Sequence, residues 1–381
     1  MQSIPPRLNY KRQKLARKYS GLMRRLSLID LAIVGAILLV LVFGGVSVKL
    51  SQFLDFPQPW ASALYFIILA VGLGIILTPL TYYQGFILSH RFGLSHQKLN
   101  SWVADRAKAA VLSFLLGLVV VILIYWLLGR FPGIWWLLAA VFLCLLSLLL
   151  TRLTPTLLLP MFFKLEPLSD AKLKKRLTNL AKRARAPISR VFTMDLSSKG
   201  TTANAMLAGL GRARSIILTD TLLHAYTPDE IEVILAHELG HHLHNDIPKL
   251  IALQAAMILL VLYLSNLVLK ASLVPFNFNG VADAAALPVL FLSLGIFSSI
   301  LRPLTNSYSR YVEANADKAA LDLTAKPQAF IAAMTRLTNQ NLSVANPSRW
   351  SELLSYDHPP YTKRVNLAKR YGLKYVKEAT N

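Results

Sequence analysis

Two histidines one helical turn apart, with a glutamate between them, are the residues of this sequence most able to do chemistry: His237-Glu238-Leu239-Gly240-His241. At i and i+4 on a helix both imidazoles project from one face and can hold a single zinc ion. Glu238 stands beside that face. A carboxylate there, not needed as a ligand, can take a proton from a water attacking a peptide carbonyl. His244 shares the face but lies two turns from His237, about 10 Å along the axis, too far to share a tetrahedral ion. With His242 and Asn245 it is expected to be a polar helix-end residue. A better third ligand lies in Ser309-Arg310-Tyr311-Val312-Glu313-Ala314-Asn315-Ala316-Asp317. Glu313 and Asp317 are i and i+4 on one face, so Glu313 can complete a three-ligand zinc site while Asp317 accepts the free N–H of a liganding histidine. The plain alternative is a solvated acidic face with Arg310 as an i,i+3 partner. With only 19 Asp and Glu in the chain, paired carboxylates on one face favour the ligand reading.

These side chains need elements to place them. Thr227 can cap a helix, Pro228 suits its first position, and Glu230 can complete a capping box, so a helix is expected to begin there and carry the motif. Val191 to Met194 and Ser215 to Thr219 are short β-like runs with Asn204 to Leu207 between them, which predicts a small sheet ahead of the motif helix. If Asn204 to Leu207 is the edge strand, its free backbone groups can pair with an extended peptide, and Asn204 is the anchor candidate. Taken alone, Asn204 reads better as an ordinary loop asparagine. Leu168 to Arg185 is a basic amphipathic helix, expected to be a solvated or lipid-facing surface. His358-Pro359-Pro360-Tyr361-Thr362-Lys363-Arg364 offers one more histidine in a turn.

The chain as a whole is too apolar for an ordinary soluble enzyme: 381 residues, 54% hydrophobic and only 16% charged, with mean hydropathy +0.47. The single cysteine, Cys144, lies in an apolar run, which excludes a disulfide framework and a cysteine metal site. A formal charge of +22 fits an anionic lipid face, and with no RNA-binding signature and no finger-type cysteine pairs no nucleic-acid partner is expected. Apolar runs of spanning length lie at Leu31 to Val48, Ala61 to Leu80, Ala109 to Leu128, Ile134 to Leu150, Leu250 to Leu269 and Leu287 to Leu301, six spans with tryptophan and tyrosine at several ends. The basic stretch before the first is too long for a signal peptide and has no clean cleavage site, so that span is read as retained. Of the 41 Lys and Arg residues, only Lys49, Arg130 and Lys270 lie beside the loops opposite the motif, which puts both termini and His237 on the cytoplasmic side. The polar neighbours Asp229, Glu230, Glu232, Asn245 and Asp246 keep the motif helix out of the bilayer, unlike the apolar metal helix of a site-2-type intramembrane protease.

Taken together, Ser198-Lys199, Asn204-Ala205, Gly209-Leu210-Gly211, Ile217 to Leu223, His237 to His241, Ser309 to Asp317 and His358-Pro359 with Arg364 resemble the CAAX prenyl endopeptidase family of membrane zinc metalloproteases. The likeness reaches back to Phe92-Gly93-Leu94-Ser95, Asp105, Lys108, Pro155 and Phe163-Lys164, and so covers roughly residues 80 to 370. The HtpX heat-shock proteases share the core motifs and are the second resemblance. The resemblance implies Zn2+ held by His237, His241 and Glu313, Glu238 as general base, Asp317 behind the ligands, Asn204-Ala205 as the substrate-binding edge, and His358 and Arg364 beside the substrate, His358 at the oxyanion. It implies a mainly α polytopic membrane protein, a ring of transmembrane helices around a chamber, capped by a zincin-like α+β metalloprotease domain. The expected division is a four-span membrane region at 1–158, catalytic parts at 159–248 and 304–381, and two spans at 249–303 between them. Eukaryotic members are longer and have seven spans. The implied partners are the bilayer and a peptide or protein substrate, prenylated or, on the quality-control alternative, an unfolded membrane protein. The membrane would be the plasma membrane of a bacterium or the endoplasmic reticulum of a eukaryote. A metal-stabilised scaffold or transporter is the reading from another class.

Overall fold

The basic N-terminal stretch is helix rather than tail. In the structure, a computed structural model that describes residues 6–54, 56–209 and 214–380 (374–380 as backbone only), the Asn9 side chain caps a helix that runs Tyr10–Phe43. The first turns of this helix dock on the far end of the chain. Arg12 Nε donates to Asn339 O at 2.8 Å, and Gln13 bridges Ser343 O and Ala345 N at 3.0 and 2.9 Å. The expected span ended at Val48, but the helix stops at Phe43 because Gly44-Gly45 follows, with Gly45 at φ +66° in the left-handed region that suits glycine. Val46–Gln52 is a separate short helix.

Among the described residues six helices are long and apolar enough to cross a membrane: Tyr10–Phe43, Trp60–Arg91, Leu99–Arg130, Trp135–Phe162, Asp246–Ala271 and Ala284–Thr324. The protein is therefore a mainly helical, multi-pass membrane protein with the expected number of spans. The second and fourth spans carry π turns, at Tyr83–Leu88 and at Thr154–Leu158; the latter contains Pro155, whose missing N–H breaks the α ladder there, and Leu159 N–H bonds Thr154 O. Pro303 lies inside the sixth helix without ending it. One helix runs Leu287–Thr324, about 57 Å at 1.5 Å per residue, and so passes from the bilayer well into the polar domain.

That domain contains a four-stranded sheet in the order β1-β2-β4-β3, with β1 Leu165–Pro167, β2 Ile188–Met194, β3 Ala205–Ala208 and β4 Arg214–Thr219. β2 and β4 are parallel, and β1 and β3 are antiparallel edges. β1 was not foreseen; it is three residues long and ends on Pro167, which only an edge tolerates. The motif helix, Pro228–Leu243, begins with the predicted capping box between Thr227 and Glu230. The basic amphipathic helix, Ala171–Arg183, turns Leu173, Leu177, Leu180 and Ala181 into the core, so its apolar face meets protein and not lipid. Only its polar face is at the surface, where Arg176 Nε reaches Glu232 at 2.8 Å. The core draws residues such as Leu177, Ile216, Leu218 and Leu235 together with Leu321, Phe330 and Val365, although two membrane spans separate these segments in sequence.

The motif helix and the long sixth-span helix meet closely because Gly240 faces Ala316. A Cβ on Gly240 would stand 3.0 Å from both Cα and O of Ala316 and 3.0 Å from Cβ of Ala319. Two small residues thus bring two backbones within reach of one ion, three residues from His237 and next to His241 on the first helix, and three residues from Glu313 on the second.

Candidate active site

The motif helix and the long helix place His237, His241 and Glu313 so that one ligand atom from each lies within 4.8 Å of the others. His237 is buried. Its Nδ1 lies 2.9 Å from Asp317 Oδ1 and its Nε2 3.0 Å from Glu313 Oε2. His241 repeats the pattern, with Nδ1 3.1 Å from Asp246 Oδ2 and Nε2 3.5 Å from Glu313 Oε1. A carboxylate on each Nδ1 fixes the proton there and leaves Nε2 with a free lone pair. Two imidazole lone pairs then face one carboxylate, an arrangement that repels unless a cation lies between them. Glu313 Oε2 is buried and has no hydrogen-bond partner among the described residues, despite its closeness to His237. Two neutral imidazoles and a carboxylate form the donor set of a three-ligand zinc site, so the residues fit the metal.

The electrostatics agree. Burial opposes a charge on His237, but the carboxylates of Asp317 and Glu313 outweigh it and push its pKa up to about 10. The nitrogen facing Glu313 is therefore a place for positive charge. Asp317 is held from behind by Arg364, whose Nε and Nη2 donate to its two oxygens at 2.8 and 2.5 Å. This chain, Arg364 to Asp317 to His237, ties the helix Tyr361–Thr380 to the metal position. His358 Nε2 lies 3.3 Å from Glu313 Oε1, and its Nδ1 is 2.8 Å from Asp357. The Asp357 carboxylate raises the His358 pKa, against the effect of burial, and favours the imidazolium. Glu238 is partly buried and senses the Arg364 guanidinium, but among the described residues it takes part in no hydrogen bond or ion pair.

The structure thus brings His237, His241, Glu313, Asp317, His358 and Arg364 into one connected cluster, with Glu238 on the motif helix between the two histidines. Asn204 and Ala205 make no hydrogen bond to it. Their link runs through β3, which packs against the motif helix. Thr219 N–H donates to Asn204 O at 3.0 Å, which sets the phase of the ladder: Met206 faces β4, while Ala205 and Leu207 turn their backbone groups to the free edge. The Asn204 side-chain oxygen accepts the Ala205 N–H at 2.9 Å. Leu210 and Gly211 of the glycine motif lie outside the described residues. His244 is an exposed helix cap, and Lys249 Nζ donates to its carbonyl at 2.6 Å.

Sequence reasoning missed Asp246 and Asp357, the carboxylates that orient His241 and His358. Asp246 was taken as an aqueous flank. It is buried because Asn245, at φ +52°, turns the chain back on the motif helix. The substitution Asp246→Asn is expected to weaken zinc binding about 10- to 100-fold, as loss of a ligand's hydrogen-bond partner does. Titration of the purified protein against a competing chelator measures this, and an affinity equal to the parent's would show that His241 is oriented by something else.

Residues 167–371 match peptidase family M48, and residues 3–164 match the CAAX prenyl protease N-terminal family, described as having five membrane helices. In that stretch this chain has four helices of spanning length, with the short Val46–Gln52 between the first two. The chain is 27% identical to the uncharacterized metalloprotease YhfN of Bacillus subtilis, over 93% of this chain and 85% of the relative. It is 28% identical to CAAX prenyl protease 1 of Saccharomyces cerevisiae, over 79% and 69%, and 30% identical to the CAAX prenyl protease 1 homolog of Oryza sativa, over 76% and 68%. The crystal structure of S. mikatae Ste24p superimposes with a TM-score of 0.83 over 96% of this chain and 92% of that one, at 24% identity, and shows the same fold. Fold and site together define an integral-membrane metalloendopeptidase. The chain belongs to peptidase family M48, and its metal is zinc.

Proposed function

We propose that this centre hydrolyses peptide bonds near an apolar, lipid-modified residue, as the name CAAX prenyl protease describes for its relatives. His237, His241 and Glu313 are the metal ligands, in catalytic parts 159–248 and 304–381 carried on membrane regions 1–158 and 249–303. Zinc held there supplies Lewis acidity toward the scissile carbonyl and the attacking water. Glu238, with no other partner, takes the proton from that water and passes it to the leaving amine. His358, kept charged by Asp357, donates to the developing oxyanion, and Arg364, anchored on Asp317, lies beside the substrate. The outward carbonyl of Ala205 and the outward backbone groups of Leu207 pair with the extended peptide, with Asn204 at the strand's start holding the Ala205 N–H. The distribution of lysine and arginine supports a cytoplasmic active site, and the +22 charge serves the lipid surface, with no nucleic-acid partner.

One observation carries the substrate class. A cavity of about 690 Å³ lies among the helices, walled by side chains such as Val121, Ile124, Met257, Leu290 and Phe291, and it extends past Arg302, Asn306 and Ser309 to Asp357. Its apolar interior thus reaches the carboxylate that holds His358. A substrate with a greasy group on the peptide can bury that group in the cavity while its backbone lies at the metal. The test is a pair of Cys-aliphatic-aliphatic-X peptides, one prenylated and one bare. Much faster cleavage of the prenylated peptide is expected. Neglect of both, with cleavage of an unfolded membrane protein, would instead establish quality control as the activity.

A further inference from the structure

The short helix Arg349–Ser355, which begins four residues beyond the Ala345 that Gln13 grips, presents two unlike faces. Ser351 is buried, and Glu352 turns inward to Arg310 and Lys363. Trp350, Leu353 and Leu354 point away from the protein, with Trp350 74% exposed. Its height is fixed by Asn306, whose Nδ2 donates to Leu354 O at 3.1 Å. Asn306 is five residues past Leu301, where the sixth apolar run ends, about 7.5 Å along the helix at 1.5 Å per residue. The headgroup layer on each side of a bilayer is about 5–7 Å thick, so this helix lies at the lipid surface and its bare apolar side chains belong in it.

Behind it, against the first span, is a cleft of about 270 Å³ lined by Arg17, Ser20, Arg24, Asn346, Ser348, Ser351 and Tyr356 among others, and no acidic residue lines it. Arg24 Nη1 donates to Ser351 Oγ at 2.9 Å, while Arg17, about two helical turns away on the same face, has no partner among the described residues. Arg24 and Arg25 are the last cations before the first apolar run, so this cleft also stands at headgroup height. Two guanidiniums, three serine hydroxyls, an asparagine and a tyrosine facing a space next to the bilayer match the phosphate of an anionic lipid.

We propose that the cleft between the first span and the Arg349–Ser355 helix is a binding site for the headgroup of an anionic phospholipid, whose acyl chains cover Trp350, Leu353 and Leu354. The bound lipid braces the segment that leads, three residues later, to His358. Arg310 carries the same segment on the long helix: its Nη1 donates to the carbonyls of Glu352 and Tyr356 at 2.9 and 2.6 Å, one turn before Glu313. The bracing rests on the role proposed for His358; the lipid site does not.

The experiment uses the full chain in nanodiscs of phosphatidylcholine alone or with phosphatidylglycerol. Native mass spectrometry reads retained lipid, and quenching by bromolipid is compared between the parent and Trp350→Phe. The double variant Arg17→Gln/Arg24→Gln is expected to lose about 30-fold in phosphatidylglycerol affinity, as two interfacial cations contribute, and Arg17→Gln alone about 5-fold. Arg17→Gln breaks no hydrogen bond among the described residues, so it stands as the test if the double variant fails to fold. Lys49→Gln, at the other end of the bundle, should retain lipid like the parent. Inorganic phosphate should not displace it; displacement would mean a free-anion site and overturn the proposal. Equal retention in Arg17→Gln and the parent, or a Trp350 untouched by bromolipid, would overturn it as well. A turnover rate indifferent to phosphatidylglycerol, in discs that bind it, would overturn the bracing while leaving the lipid site standing.

Discussion

The substitution Glu238→Gln is expected to remove peptide hydrolysis almost completely while zinc stays bound. Glutamine keeps the size of the side chain but cannot take a proton at neutral pH, and a positioned general base is worth about 10²- to 10⁴-fold in rate. The geometry makes the separation clean. Glu238 bonds to none of His237, His241, Glu313, Asp317 or His358, so its replacement leaves every contact that orients the ligands in place. Zinc content by elemental analysis and turnover on a peptide report the two halves independently. A variant that keeps its zinc and still cleaves at the parent's rate would take the proton-shuttle role away from Glu238. If the parent itself cleaved nothing, the metal would be that of a scaffold or transporter.

Much of this centre was legible because it rests on local rules. His237 and His241 share a helical face by spacing, Thr227 and Glu230 cap that helix by type, and the six apolar runs stand out from any window of the sequence. What was not legible depends on how segments meet. Asp246 looked like a solvated helix-end residue, and only the left-handed turn at Asn245 folds it under His241. The expected division between membrane and catalytic parts falls at 303, yet one helix continues through Pro303, a tolerance that membrane helices show for proline. The docking of Arg12 and Gln13 on residues 339–345 had no signal at all, since basic residues before a span look alike whether they meet lipid, water or a distant carbonyl.

Replacement of Glu313 should act by the opposite route, so that Glu313→Gln loses zinc first and activity as a consequence. The sequence separates this residue from His241 by more than seventy positions and two membrane crossings, and the structure closes that distance through the contact of Gly240 with Ala316. Glu313 faces both histidine Nε2 atoms, at 3.0 and 3.5 Å, and one of its oxygens is buried without any hydrogen bond. A glutamine there offers a neutral oxygen and an amide N–H₂ that repels a cation, while the desolvation of the site remains. Removing a supporting partner costs about 10- to 100-fold in metal affinity, so losing the ligand itself should cost more than that. Competition with a chelator measures it, and added zinc should restore part of the turnover in Glu313→Gln but none in Glu238→Gln. A Glu313→Gln protein that holds zinc as tightly as the parent would mean that the long helix carries its carboxylate to the histidines for some purpose other than gripping the ion.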